Sequence, residues 1–251
     1  KAAALFVPSG TMANQLALRA QAQPGQEVIV ASRSHMVRYE QGAGGALAGV
    51  QFHWVVGEHG IMTAEQIEAA IRPKDPHTIQ TALICVENTH NSGGGTIYPV
   101  ATIERIGAIA RQRGLPMHLD GARLFNAVVA TGTSATEYAK HFTTVSFCLS
   151  KGLGAPAGSL IATNDRDMLE KLRRMMGLWR GAALAGGLAT VAAAVVGLNL
   201  SREVDRRESA LAQASQQQNQ LTQQNVQLVA QLQSKPEIQY VAVLADDKAS
   251  A

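Results

Sequence analysis

The stretch Val145-Ser-Phe-Cys-Leu-Ser-Lys-Gly-Leu-Gly154 decides how this chain is read. An apolar run over 145–149 stops abruptly at Ser150-Lys151-Gly152, and a second glycine follows at Gly154. A buried strand that ends on a lysine among small residues suits imine chemistry. The amine stands on a rigid element, partly desolvated, with room beside it for a flat cofactor. Taken alone, Lys151 reads more readily as an ordinary exposed lysine at a strand end. The rest of the chain has to supply the difference.

Working outward, 115–119 is another β-type run, and it ends on Asp120-Gly-Ala-Arg123. A carboxylate placed there, with an arginine nearby, can hold a protonated pyridine nitrogen. It can also simply cap the helix predicted to begin near Ala122. The run at 81–86 is nearly continuous in apolar residues, the pattern of a central parallel strand. It ends in Glu87-Asn-Thr-His-Asn91 and Ser92-Gly-Gly-Gly95, five polar residues that need either solvent or a ligand. Strands are also predicted at 3–7, 27–30 and 52–56. Helices are predicted at 11–22, at 63–71 with Thr63 as its cap, and at 100–113. His35 follows the 27–30 strand closely. Pro8-Ser-Gly-Thr11 joins the first strand to the first helix, where free N–H groups and the helix dipole suit a phosphate, although a plain N-cap is the commoner use of such a turn. Alternating strand, loop and helix predict an α/β fold, a mostly parallel sheet with helices on both faces. The residues at 10, 35, 87, 120 and 151 all fall at strand exits, where such folds place their sites.

Composition narrows the functional classes. The net charge is +3 over 251 residues with 4% aromatics, and no basic stripe with interleaved aromatics points to nucleic acid. Cys85 and Cys148 lie inside apolar runs and read as core residues, not as a disulfide. No H-x-x-x-H or C-x-x-C spacing suggests a zinc site, and no metal is expected. The chain opens on Lys1 directly before an apolar strand and looks cut there, with no cleavable signal peptide visible.

Four stretches together resemble the low-specificity threonine aldolases, fold-type I pyridoxal-phosphate (PLP) enzymes of the aromatic β-eliminating lyase/threonine aldolase group. They are Phe6-Val-Pro-Ser-Gly-Thr-Met-Ala-Asn14, Glu87-Asn-Thr-His-Asn91, His118-Leu-Asp-Gly-Ala-Arg-Leu-Phe-Asn-Ala127 and Leu149-Ser-Lys-Gly-Leu-Gly-Ala-Pro-Ala-Gly-Ser159. They stand in the family's order, and the resemblance runs over 1–177. It implies that Lys151 holds the cofactor covalently, Asp120 pairs with the pyridine N–H, and the Gly10–Thr11 turn binds the phosphate. It also implies that His35 stacks on the ring and that Arg123 contacts the cofactor hydroxyl or the substrate carboxylate. His77 matches a family histidine near the substrate hydroxyl, and with His35 it is a candidate base. Glu87 and His90 lie in a family motif without individual roles. The implied reaction cleaves a β-hydroxy amino acid to glycine and an aldehyde. A homo-oligomer is expected of a complete enzyme, but not of this chain, which lacks the family's first segment and small C-terminal domain and therefore reads as incomplete at both ends.

Residues 178–251 change character. Over 181–200 no residue is charged, which is long enough for a membrane span of Ala/Gly-rich type, with a buried Ala-rich helix as the competing reading. Lys171, Arg173, Arg174 and Arg180 precede it, which puts 1–177 in the cytoplasm and the C-terminus outside. The Gln-rich 201–236 follows as a polar stalk or a weak coiled coil, with Val204, Leu211, Leu221, Leu228 and Leu232 near heptad positions. A strand is expected from Ile238, the start of a β domain at 237–251. Leu178-Trp-Arg-Gly-Ala-Ala-Leu-Ala-Gly-Gly-Leu188 and Gln239-Tyr-Val-Ala-Val-Leu-Ala-Asp-Asp247 are similar to the membrane and extracytoplasmic part of anti-sigma-K-type regulators. Three organisations follow: a lyase with an unrelated C-terminal part, a membrane-anchored regulator, or a composite of two truncated genes.

Overall fold

The computed structural model of the chain describes residues 3–233, without the side chains of 178–203, 228, 232 and 233. It divides into two compact units, Lys1–Gly181 and Ala182–Ala251.

The first unit is built on one seven-stranded sheet in the order β1-β7-β6-β5-β4-β2-β3. The strands are β1 (Ala3–Val7), β2 (Glu27–Ala31), β3 (Gln51–Val55), β4 (Thr81–Glu87), β5 (Met117–Asp120), β6 (Thr144–Cys148) and β7 (Ser159–Thr163). Pairings from β3 through β6 are parallel, whereas β7 is antiparallel to both β6 and β1. The sheet is therefore mostly parallel, as predicted, with one strand running against the rest. That strand was not predicted from the sequence. It returns from β6 through the loop 149–158, so no crossover helix announces it.

Strand alternation divides the core between the two faces. Val28 and Val30 of β2 and Leu83 and Cys85 of β4 pack in one cluster with Leu18 of α1 (Gly10–Gln21) and Met36 of α2 (His35–Arg38). Ile29, Ala31, Ile84 and Val86 face the other way, into a cluster with α3 (Ala64–Ala70), α4 (Val100–Arg113), α5 (Leu124–Thr131) and α6 (Ala135–Ala139). Side chains such as Ile29 and Ile84, with no exposed surface, each contribute about 1.5–3 kcal/mol by leaving water. Both cysteines are free and buried, as predicted.

Local chemistry explains the helix ends. Thr63 and Gln66 form a reciprocal capping box at the start of α3. Gly114, at φ +67°, takes the left-handed position that closes α4. Ser9 caps α1 by accepting from Met12 N at 3.2 Å. The last helix, α7 (Arg166–Gln233), begins by packing Leu169 and Leu172 against Val7, Leu16 and Ile161.

Val204, Leu211, Leu221 and Val226 of α7 are exposed. Among the described residues no helix is long and apolar enough to cross a membrane. The span expected at 181–200 falls on side chains outside the described residues, and the strand expected from Ile238 lies outside them altogether.

Candidate active site

The parallel strands deliver their last residues to one edge of the sheet. Glu87 closes β4 and Asp120 closes β5, and the two are register partners. Asp120 is in turn opposite Ser146 of β6, which leads through Cys148 to the loop carrying Lys151. A cleft at this edge is lined by Gly10, His35, Asp120, Arg123 and Lys151, together with Asn14, Glu87 and Asn91. The sequence-predicted residues are thus gathered in one place, with two exceptions. Thr11 lies one residue past the lining glycine on α1. His77 sits in the exposed loop before β4, at the strand end opposite Glu87. The structure does not bring His77 to the cleft, because its loop feeds the amino end of β4 while the cleft residues leave the carboxyl ends.

Each element positions its group for a stated reason. The Lys151 loop is closed on itself by backbone bonds from Leu149 N and Ser150 N to Gly158 O, just before β7, and from Ala155 N to Leu149 O. At Gly10 a Cβ would lie 3.0 Å from Cys148 Sγ, so the missing side chain lets α1 approach β6 closely. With Ser9 capping Met12 N, the N–H groups of Gly10 and Thr11 have no partner among the described residues. That leaves two donors at a positive helix end.

His35 is held twice. Its backbone N–H donates to Glu87 Oε2 at 2.6 Å, and its Nδ1 lies 3.1 Å from Glu40 Oε1. The bond to Glu40 raises its pKa, against an opposing effect of burial. Glu87 also accepts from Asn91 N at 2.9 Å. Burial, reinforced by the charge of Asp120, pushes the Glu87 carboxyl up to about 7. Arg123 Nη1 donates to Asn91 Oδ1 at 2.8 Å.

Two residues were missed by sequence reasoning, Asn14 and Glu40. Asn14 Nδ2 donates at 2.8 Å to both Asp120 Oδ2 and Glu40 Oε1, and Gln15 Nε2 donates to Glu40 Oε2 at 2.7 Å. A signal was present: Asn14 and Gln15 interrupt the apolar face of α1, and polar groups buried on such a face need partners.

The cleft floor suits a protonated ring nitrogen. Asp120 is 4% exposed and has the Glu40 and Glu87 carboxyls nearby, so the floor offers an incoming N–H cation a concentration of acceptor oxygens. His35, Glu40 and Asp120 also bring ligand-type atoms within 4.8 Å of one another. The Asn14 amide N–H groups bond to both carboxylates there and would face a metal ion with donors instead of a ligand atom.

The fold matches that of a solved threonine aldolase from Leishmania major, with a TM-score of 0.62 at 24% identity over 68% of this chain and 51% of that one. The sheet has the fold-type I architecture of pyridoxal-phosphate enzymes. The sequence profile of the beta-eliminating lyase family matches residues 1–246. The chain belongs to that family. Low-specificity L-threonine aldolase 1 of Arabidopsis thaliana is 41% identical over 206 residues, 79% of this chain and 56% of that protein. The low specificity L-threonine aldolase of Escherichia coli (strain K12) is 35% identical over 193 residues, 76% of this chain and 57% of that protein. The chain spans about half the length of the curated relatives it matches. The family match continues past Gly177 to residue 246, and the similarity of 178–251 to anti-sigma-K-type regulators gains no support from it.

Proposed function

We propose that this chain carries the cofactor-binding part of a pyridoxal-phosphate-dependent carbon–carbon lyase of threonine-aldolase type, acting on a β-hydroxy amino acid to give glycine and an aldehyde. The observation that carries this reading is the convergence of Lys151, Asp120, His35 and Arg123 on one cleft. Relatives named as low-specificity threonine aldolases support the substrate class. In this reading the site belongs to residues 1–177, and every residue that lines the cleft falls between Gly10 and Lys151.

Bound in the cleft, pyridoxal phosphate supplies an electron sink for the pair released when the Cα–Cβ bond breaks. Lys151 Nζ is the primary amine that would hold it covalently. Asp120 would accept the pyridine N–H, and the N–H groups of Gly10 and Thr11 would receive the phosphate. Glu40 engages His35 Nδ1, so Nε2 is the nitrogen left to take the β-hydroxyl proton, and the raised His35 pKa favours uptake. Arg123, pointed by Asn91, would orient a carboxylate.

Adding pyridoxal phosphate to the full chain tests this. The reading expects an absorbance band near the visible that Lys151→Ala abolishes, together with glycine release from threonine. A chain with no Lys151-dependent band overturns it. A band without glycine release would confine the role to cofactor binding.

A further inference from the structure

Asn14 links the cleft floor to a buried polar chain that none of the roles above uses. Its Nδ2 donates to two carboxylate oxygens, Glu40 Oε1 and Asp120 Oδ2, both at 2.8 Å. Carboxylates on that side can only accept, so the amide has one orientation and Oδ1 faces away from the cleft. Oδ1 lies 3.2 Å from His118 Nε2 and 3.1 Å from Ser146 Oγ. An amide oxygen cannot donate, so His118 carries its proton on Nε2. With the proton on Nε2, Nδ1 is left to accept, and the Thr144 hydroxyl, its Oγ1 2.8 Å away, can donate to it, although the Thr144 backbone carbonyl also faces the ring. Thr144 Oγ1 in turn accepts from Gln21 Nε2 at 2.8 Å. The bonds from Gln21 through Thr144, His118 and Asn14 to Asp120 then run in one direction, toward the cleft.

Burial makes the arrangement rigid. Asn14, His118, Thr144 and Ser146 are each at most 1% exposed. His118 and Asp120 share the α1 face of β5, while Met117 and Leu119 turn to the opposite core. Burial also pushes the His118 pKa down to about 4, which keeps the ring neutral and the single tautomer in place.

We propose that Asn14 and His118 are positioning residues: neutral His118, protonated on Nε2, fixes the Asn14 amide, and Asn14 fixes the orientation of the Asp120 and Glu40 carboxylates toward the ligand. The expected effect on the cofactor rests on the proposed function; the tautomer and the carboxylate orientation do not.

Nitrogen-15 NMR of the unaltered chain reads the tautomer directly. The expected result is a neutral His118 with its proton on Nε2 from pH 5.5 to 8; a proton on Nδ1, or a charged ring, overturns the proposal. The second measurement is the affinity for pyridoxal phosphate by equilibrium dialysis, with the pH midpoint of the bound absorbance. Asn14→Leu is expected to weaken binding by about tenfold or more, as loss of one charge-assisted bond would, and to move the midpoint. His118→Leu should do the same, and His118→Gln, which keeps an N–H near the Nε2 position, should restore both. Variants that lose thermal stability while their folded fraction keeps the original affinity and midpoint would show a merely structural role and overturn the proposal. Should the unaltered chain not bind pyridoxal phosphate, the functional reading fails by itself. The carbon-13 signal of the Asp120 carboxyl, expected to shift in Asn14→Leu, then still decides the positioning.

Discussion

Glu87 and Asp120 stand opposite each other at the ends of adjacent parallel strands, two carboxyls brought to the same level by the register of β4 and β5. Burial and the Asp120 charge both oppose ionisation of Glu87, which is why its carboxyl rises to about 7. Carbon-13 NMR of labelled glutamate should find one carboxyl titrating near 7, and Asp120→Asn should lower that midpoint. A Glu87 signal in the ordinary carboxylate range would refute the argument. The sign for stability follows from linkage. The folded state holds this proton more tightly than the unfolded one, so the contribution is full below about 4.5 and is lost as pH rises toward about 7, to the extent of roughly 3 kcal/mol.

His118 acts in the opposite direction. Its folded pKa, depressed to about 4 by burial, lies below the unfolded value of 6.5. The unfolded chain therefore takes up the proton first, and stability falls by roughly 3 kcal/mol as pH drops from about 6.5 toward about 4. Urea melts at several pH values should show this acid limb in the unaltered chain and a flatter one in His118→Gln. Equal slopes in the two proteins would count against the assignment.

Two glycine substitutions separate backbone strain from collision. Gly60 sits at φ +87°, and a Cβ there would lie 2.3 Å from the His90 ring, which is fully buried and cannot retreat. Gly60→Ala should cost about 3 kcal/mol or more by urea denaturation. Gly25 sits at φ +86° with nothing within 4 Å of the position, so Gly25→Ala should cost about 1–2 kcal/mol. Similar losses at the two sites would show that the His90 contact is unimportant.

The capping box of α3 offers a smaller effect. Thr63 Oγ1 accepts from Gln66 N at 3.2 Å, and Thr63 N donates to Gln66 Oε1 at 2.9 Å. Thr63→Ala should cost about 1 kcal/mol, read as a lower denaturation midpoint with an unchanged slope.

The sequence made the parallel strands and their exits legible because each is a short apolar run ending on polar or small residues, as at Val86-Glu87 and Leu119-Asp120. Thr63 was legible as a cap through its own side-chain chemistry. The antiparallel β7 was not, since Ser159-Leu-Ile-Ala-Thr163 carries no mark of direction and its pairing depends on β1, far away in sequence. Of the site, the lysine, aspartate and His35 could be read from their places at strand ends. Asn14 and Glu40 could not be assigned, because their roles come from contacts across 106 and 26 residues of chain. His77 was drawn to the site by resemblance, while local strand direction puts it at the other end of β4.

The reversed strand carries one more consequence. β1 has a single neighbour in the sheet, β7, with Ala3 opposite Thr163 and Val7 opposite Ser159. The Ser9–Gly10 turn hangs directly from β1, and the Lys151 loop runs directly into β7. Without β7, β1 therefore has no strand to pair with in this sheet. Gly10 at the helix end already lies against Cys148 of β6, but the strand ladder that ties β1 into the sheet is made by residues 159–163 alone, a pairing of the two most sequence-distant strands.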